Sequence, residues 1–367
     1  MPAEKTALIA MSGGVDSSVA AWVMQQQGFR CMGVTMRLYH NTDLGLSQYH
    51  TCCSEQDIED AADVAFQLDI PYEVVDFTPD FGAEVIDKFI RTYEAGGTPN
   101  PCIDCNRRLK FDRLLDYALA HGMEYVVTGH YARVEYNAAS GRWHLKKALD
   151  AGKDQSYVLY AMTQRQLAHI RFPLGGLHKA EVRAMAGRLG LCNARKHDSQ
   201  DICFVPDGDY AAFMERCTGR HYPPGDFLDP EGRVIGRHRG AVRYTIGQRK
   251  GLGLACGAPV YVCAKDMARN TVTVGPEAAL YTRELWANDL NWIPFAAPDG
   301  PLRVTARTRY RQAEQPATLC PEGPDRVRVV FDTPQRAVTA GQAVVFYDGE
   351  DVVGGGTILP PQTDGFV

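Results

Sequence analysis

No stretch of this sequence stays apolar for the roughly 20 residues that a membrane-spanning helix needs, so no bilayer crossing and no membrane partner are expected. The first residues, Met1 to Lys5, are polar and lack the charged start and apolar stretch of a secretion signal. Internal repeats and low-complexity tracts are missing as well, which argues against long disorder, collagen-like repeats and coiled coil. There is no excess of positive charge: 39 Lys and Arg face 44 Asp and Glu, a net of −5. A uniformly basic nucleic-acid binder is thereby excluded, while a local basic face is not. What the chain does have is 367 residues, 45% of them hydrophobic, enough for two or three packed domains. Its eleven cysteines, without a secretion signal, point to a reducing, cytoplasmic setting. There they serve as buried thiols, a reactive pair or metal ligands rather than as a disulfide scaffold.

The first part of the chain alternates strand and helix patterns. Thr6–Met11, Cys31–Leu38, Tyr72–Phe77 and Tyr125–Thr128 read as strands. Helical spacing lies between them, at Ser17–Gln27, Ser54–Leu68, Phe81–Glu94 and Cys105–His121, with Ser54 as an N-cap. Strands separated by helices imply an α/β class with a doubly wound parallel sheet. Residues 163–190 read as helices that close this domain. After residue 205 Gly, Pro, Val, Thr and Arg dominate, and short alternating runs such as Arg269–Val274, Leu302–Ala306, Arg326–Phe331 and Ala343–Tyr347 replace helical ones. The expected organisation is an α/β domain at 1–205, a small central β-rich domain at 206–275 and a C-terminal antiparallel β-barrel at 276–367.

Ser12-Gly13-Gly14-Val15-Asp16-Ser17-Ser18 falls between the first strand and the first helix. Glycines let backbone N–H groups approach an anion closely, and a helix start offers orphan donors and a favourable dipole. No Gly-Lys-Ser/Thr follows, so this is not a Walker A loop. A tight turn with capping serines is the plainer reading of two glycines alone. The full string resembles the SGG-x-D-S loop of the PP-loop ATP pyrophosphatases, whose fold is that of the adenine nucleotide alpha hydrolases. That resemblance implies ATP as substrate, split to AMP and pyrophosphate with transfer of adenylate to a carbonyl oxygen. It places ATP against Ala10, Met11, Ser12, Gly13, Gly14, Val15, Asp16 and Ser17. Met36 and Gly129, the latter in Thr128-Gly129-His130-Tyr131, are then expected to line adenine and ribose.

Two cysteines choose within that superfamily. Thr98-Pro99-Asn100-Pro101-Cys102-Ile103-Asp104-Cys105 is Pro-rich and leads into a helix whose first turn is expected to hold Cys105. A helix N-terminus lowers thiol pKa, and Arg107, Arg108 and Lys110 add positive potential, which makes Cys105 a candidate nucleophile. The Cys102-x-x-Cys105 pair also fits half of a zinc site, with Cys52 and Cys53 as the other half. Cys203 lies in His197-Asp198-Ser199-Gln200-Asp201-Ile202-Cys203-Phe204, a polar loop carrying a thiol; a buried structural cysteine is the plainer alternative. Together with TGHYAR, Gly152-Lys153-Asp154-Gln155-Ser156-Tyr157, Tyr244-Thr245-Ile246-Gly247-Gln248-Arg249-Lys250-Gly251 and Arg309-Tyr310-Arg311-Gln312, these segments resemble the tRNA-uridine 2-sulfurtransferases (tRNA-specific 2-thiouridylases) over nearly the whole chain.

The resemblance implies sulfur transfer to position 2 of the wobble uridine in tRNAs that read Lys, Glu and Gln codons. It makes Cys105 the nucleophile and Cys203 the persulfide carrier, with a transient disulfide between them. The cofactor set is ATP with Mg²⁺, and the partners are tRNA and a sulfur donor such as a cysteine desulfurase or relay protein. Asn100, Pro101, Cys102, His130, Lys153, Asp154, Gln155, Arg309, Tyr310 and Gln342 are expected on the tRNA side. One departure matters: many members read Asn-Pro-Asp where this chain has Asn100-Pro101-Cys102. A thiol is a weaker acid than the carboxyl it replaces. The extra cysteine also opens an iron–sulfur alternative, with Cys102, Cys105 and Cys203 as cluster ligands. Another PP-loop enzyme, an amide-forming synthetase, is the rival that needs neither cysteine. Local basic strips should meet the RNA: Arg216 to Lys250 carries eight Lys or Arg against three acids, and Arg303, Arg307, Arg309 and Arg311 form a second.

Overall fold

The computed structural model describes residues 5–41, 44, 55–196 and 202–361. The N-terminal domain is built on β1 (Thr6–Ala10), α1 (Val15–Gln26), β2 (Arg30–Arg37), α2 (Glu55–Gln67), β3 (Tyr72–Asp76) and β4 (Tyr125–Val127). A hairpin, β5 (Arg133–Asn137) with β6 (Arg142–Lys146), and a short β7 (Ile170–Arg171) follow. Strands β3-β2-β1-β4-β7 form one sheet in that order, all neighbours parallel. The sheet is buried on both faces, as parallel sheets must be. On β1, Leu8 enters one apolar cluster while Ala7 and Ile9 enter the other. The second cluster is completed by α1, α2 and the helix Lys179–Arg188, through Val19, Val64 and Val182 among others. The first is completed by helical segments 78–94 and 101–120, through Phe81, Phe89, Leu109 and Leu114.

The central sheet takes β8 (Gly225–Leu228), β9 (Val234–His238), β10 (Tyr261–Asp266) and β11 (Thr271–Gly275) in the order β10-β11-β8-β9, with β11 and β8 parallel and the other pairs antiparallel. The C-terminal barrel comprises β12 (Tyr281–Trp292), β13 (Leu302–Arg307), β14 (Gln315–Pro321), β15 (Arg326–Arg336), β16 (Ala343–Asp348) and β17 (Asp351–Ile358). Pairing of β12 with β17 closes it. Alternate residues fill its interior, Ala317 and Leu319, then Val327, Val329 and Phe331, as a period-2 strand requires.

β16 is buried on both faces. Val344 and Phe346 point into the barrel, whereas Val345 and Tyr347 belong to the first apolar cluster of the N-terminal domain. The barrel and the α/β domain therefore share one core. The hairpin β5–β6, which belongs in sequence to the first domain, extends the barrel sheet through Lys146 opposite Asp351. Glycines make this approach close: a Cβ on Gly355 would stand 2.6 Å from the Tyr160 ring and 2.6 Å from the Val344 carbonyl oxygen.

Several elements differ from the sequence expectation. The hairpin β5–β6 and β7 occupy stretches with no strand reading, and helix Tyr210–Thr218 opens the region expected to be β-rich. That helix is capped by the Asp209 carboxylate, which accepts from the Ala212 N–H at 2.9 Å, and ends at a left-handed Gly219. Its end signals are ordinary, but nine residues are too few for a periodic pattern to stand out. Ser54, the expected cap of α2, lies outside the described residues.

Gly355→Ala is expected to destabilise the protein by about 1–3 kcal/mol through overpacking at the shared core. Thermal unfolding checks this, with nucleotide affinity measured alongside and expected to stay within about twofold, since the added methyl meets Tyr160 and the Val344 carbonyl, neither of them in the loop after β1.

Candidate active site

The chain runs from β1 outward to β2 and β3, then returns to place β4 on the other side of β1. Between β1 and β4 the connections diverge to opposite sides, which opens a crevice at the carboxyl ends of the strands. The loop after β1 and the loop after β4 flank it. Gly13 takes a left-handed φ of 67°, and a Cβ there would stand 2.3 Å from the Asp57 carbonyl oxygen. The Gly13 carbonyl accepts from Asn193 Nδ2 at 3.1 Å and Lys196 Nζ at 3.2 Å; Lys196 also pairs with Asp57 at 2.5 Å and Asp60 at 2.6 Å. The turn is thus fixed from outside while Ser12 stays exposed. Gly14 is the N-cap of α1 and supplies no side chain, so the first N–H groups of the helix face the crevice uncapped by a side chain among the described residues. Ser17 and Ser18 turn their hydroxyls back onto the Gly14 carbonyl, each at 3.0 Å.

Gly129, in the loop after β4, packs on this helix start. A Cβ there would come within 2.8 Å of Asp16 and the Ser17 nitrogen. Tyr131 donates its hydroxyl to Asp16 Oδ1 at 2.9 Å, and Lys179 Nζ lies 2.7 Å from both Asp16 oxygens. Ala10 and Met11 continue the β1 pairing, Met11 N–H donating to the Val34 carbonyl, and Met36 is buried near the end of β2. Lys179, Asn193 and Lys196 escaped the sequence reading. Each sits over 160 residues from its loop partner, in segments with no motif that marks them.

The Pro-rich segment enters a single α-turn, Pro101–Asp104, with Asn100 at the N-cap and Pro101 in the first helical position. Cys102, which is exposed, occupies that first turn. Cys105 does not: it is buried and opens a stretch of π-helix, Cys105–Arg113. The expectation that the first turn holds Cys105 is therefore corrected, and the helix-terminal field acts mainly on Cys102, because it fades within a turn. Arg107 spends its charge on Asp289 of the barrel at 2.6 Å. Asp104 is buried; burial lifts its carboxyl above the usual range against the pull of Lys88, 2.6 Å away.

The loop after β4 leads from the crevice toward these cysteines. His130 packs against Phe111 of the π-helical stretch and against Phe172, with centroids 5.7 and 5.9 Å away. Burial, with Lys110 nearby, pushes its imidazole well below the ordinary range, so it is neutral at pH 7. Gln155 Oε1 accepts the Tyr131 N–H at 2.9 Å. The buried Asp154 carboxylate holds the Ala148 N–H at 3.0 Å and the Ser156 hydroxyl at 2.8 Å, while its carbonyl accepts from the Tyr310 hydroxyl at 3.2 Å. Lys153 is half-buried beside it. The half-exposed Tyr310 has its phenol pKa raised by burial, with the Asp154 carboxylate and the Cys102 thiol adding to the shift. Gln342 Nε2 donates to the Thr98 and Pro99 carbonyls at 3.0 and 3.2 Å, tying the barrel to the segment that carries Asn100 and Cys102.

Cys203 borders the same apolar cluster that contains Cys105. Its carbonyl accepts from the Tyr39 hydroxyl at 2.8 Å, and Phe204 is wedged among Phe81, Phe89 and Phe213 at 5.1–5.6 Å. Cys105 and Cys203 are not joined as a disulfide. His197–Asp201, Cys52 and Cys53 lie outside the described residues. Among the described residues no group of three His, Cys, Asp or Glu converges as a metal site.

The arginine strips are less open than their sequence suggests. Arg303 pairs with Asp332 at 2.8 Å, Arg307 with Glu314 at 2.8 Å, Arg243 with Glu215 at 2.8 Å and Arg233 with Asp229 at 2.6 Å. Arg309 donates to the Ala337 carbonyl. Arg233 finds its acids close in sequence, at Asp229 and Glu231, whereas folding brings Asp332 to Arg303 and Glu215 to Arg243 from distant segments.

Gly13→Ala is expected to weaken nucleotide binding at least about tenfold, since the methyl strains a left-handed residue and collides with residue 57. Calorimetric titration with ATP checks it, with RNA binding as the control.

Family models match three consecutive parts of the chain: a tRNA methyl transferase HUP domain at residues 5–207, a tRNA methyl transferase PRC-barrel domain at 211–276 and an aminomethyltransferase β-barrel domain at 282–358. The chain is 49% identical over 356 residues to the tRNA-specific 2-thiouridylase MnmA of Acetivibrio thermocellus, covering 97% of this chain and 99% of that one. It is 50% identical over 358 residues to the protein of that name from Heliobacterium modesticaldum, with coverages of 97% and 93%. To that of Moorella thermoacetica it is 52% identical over 351 residues, with coverages of 96% and 98%. On this similarity, which runs through all three domains, the chain belongs to the tRNA-specific 2-thiouridylase family.

Proposed function

We propose that this protein thiolates position 2 of the wobble uridine of tRNA in an ATP-dependent reaction, with Cys105 as nucleophile and Cys203 as carrier of the incoming sulfur. The observation that carries this reading is a continuous path of contacts. It runs from Asp16 through Tyr131 and Gln155 to the adjacent Asp154, whose carbonyl accepts from Tyr310 of the barrel, and Gln342 of the barrel in turn holds the Thr98 and Pro99 carbonyls of the segment that leads to Cys102 and Cys105. Cys203 borders the cluster in which Cys105 is buried.

A uridine C2 carbonyl is a poor electrophile with a poor leaving group. Attack of O2 on the α-phosphorus of ATP releases pyrophosphate and converts that oxygen into part of AMP. The loop from Ala10 to Ser17 holds the phosphates by backbone N–H groups, with Met36 and Gly129 toward the nucleoside. Mg²⁺ supplies charge neutralisation on the phosphates. Among the described residues both Asp16 oxygens are engaged by Lys179, and an ion that would arrive on the phosphates fits this donor set.

A cysteine desulfurase or relay protein delivers sulfur as a persulfide on Cys203. The Cys105 thiolate attacks its inner sulfur, expelling hydrosulfide and leaving a Cys105–Cys203 disulfide. Hydrosulfide then displaces AMP at C2. A thiol reductant reopens the disulfide. The iron–sulfur alternative requires Cys102, Cys105 and Cys203 around one cluster. The exposed Cys102 and the buried Cys105 have different surroundings, which favours the persulfide route. An amide-forming synthetase has no use for the two cysteines.

The target base has to leave the anticodon stack to reach this path. Asn100, Pro101, Cys102, His130, Lys153, Asp154, Gln155, Arg309, Tyr310 and Gln342 form its RNA side, with Tyr310 exposed for stacking and His130 neutral.

Cys105→Ser and Cys203→Ser are each expected to abolish thiolation of anticodon stem-loops, read by nucleoside mass spectrometry, with ATP binding retained. Thiolation by the Cys105 variant at the wild-type rate overturns the assignment. Arg309→Glu is expected to weaken tRNA binding and to reduce its salt slope by about 1; binding measured across a salt series checks this.

A further inference from the structure

The segment that carries Cys105 is gripped from the barrel on both sides of the thiol, by Gln342 at Thr98 and Pro99 and by Asp289 at Arg107. Arg107, two residues beyond Cys105, extends to Asp289 of β12, Nη1 to Oδ2 at 2.6 Å; the Arg107 side chain is largely buried, whereas that of Asp289 is 42% exposed. Asp289 is not an ordinary strand residue. It has a left-handed φ of 50° at a break in register between Asn288 and Asn291 against β17. This is a β-bulge, a device that re-aims a side chain. Asparagine and aspartate tolerate such a backbone better than other side chains do.

The bulge also holds the chain that crosses behind Cys105. Asn291 Nδ2 donates to the Tyr160 and Met162 carbonyls at 2.7 and 3.0 Å, and Asn106 Nδ2, next to Cys105, donates to the Val158 carbonyl at 3.1 Å. A Cβ on Gly354 would stand 2.1 Å from the Asn291 carbonyl oxygen, so the bulge is pinned from β17 as well. Asp104, on the other side of Cys105, is held by Lys88. Cys105 is thus clamped between a local ion pair and one supplied by the barrel.

We propose that Asp289 is a positioning residue: through Arg107 it transmits the placement of the barrel to the π-helical stretch that begins at Cys105, so that RNA seated on the barrel and the thiol move as one unit. The inference rests on the reading of Cys105 as nucleophile. Asp289 touches no reacting atom, and its effect belongs in the chemical step rather than in binding.

The test compares Asp289→Asn, Arg107→Gln and the double variant. Asparagine keeps the shape and tolerates the left-handed backbone, so folding is retained. Each single variant is expected to lower kcat for thiolation about tenfold, the scale of a small misplacement of a reacting group, with KM for tRNA and ATP within about twofold. The double variant should fall no further than either single one, because both break the same contact. Arg107→Lys, which keeps the charge, should recover part of kcat. Iodoacetamide labelling of the peptide containing Cys105 should change in rate in Asp289→Asn and stay unchanged in Glu284→Gln, which breaks another β12 ion pair, with Arg328.

Wild-type kcat and labelling in Asp289→Asn, or additive losses in the double variant, overturn the proposal. Thiolation by Cys105→Ser refutes the reading beneath it. The labelling rate is measured on Cys105 whatever its chemical role, so the two failures are told apart.

Discussion

Everything at this site depends on a single strand buried on both faces. β16 turns Val344 and Phe346 into the barrel and Val345 and Tyr347 into the α/β domain, so neither body has a solvent-exposed face at the junction. Strands with only one apolar face can leave the other to water; this one cannot. The glycines at 354–356 let the chains come close enough for the contact to exclude solvent. With the barrel fixed in this way, Tyr310 reaches Asp154, Gln342 reaches Thr98 and Pro99 ahead of Cys102, and Asp289 reaches Arg107. Long polar contacts alone would place these groups loosely; a shared apolar core places them within hydrogen-bond tolerance.

The nucleotide side follows a different logic. There the positioning is done by backbone: a left-handed glycine, an uncapped helix start and a second glycine that lets the loop after β4 lie on the first turn of α1. Such a cradle has little charge of its own. Its supporting lysines are neutralised by Asp16, Asp57 and Asp60, which leaves oriented N–H groups to receive an anion. The cysteine side is built from side chains, buried apolar groups and paired charges. The loop after β4, with Tyr131 facing one way and His130 the other, is the physical link between the two.

Much of this was legible in residue patterns. The apolar runs of β1 to β4 are short, continuous and bounded by turn residues, which marks a parallel sheet, and the alternation in 302–306 and 326–331 marks a half-buried sheet. The loop after β1 stood out because glycine and serine between a strand and a helix start suit an anion. The hairpin β5–β6 gave no comparable signal. Its strands carry Arg, Glu, His or Lys at half of their positions, because they lie at a sheet edge. The π-helical winding from Cys105 was also hidden, since its sequence differs little from that of an α-helix, and with it the position of the thiol relative to the helix start.

The sequence alone determined the domain classes, and it marked the glycine-serine loop after β1 and the two cysteines on which the proposed function rests. All of these rest on local chemistry: turn-forming residues, periodicity and reactive groups in short strings. Only the tertiary structure decided that the arginines of the barrel are largely paired, that Lys179 answers Asp16, and that Asp289 answers Arg107 across 182 positions. Charge pairing and burial depend on which strands become neighbours, and strand order is set by packing of the whole chain, which no local window contains.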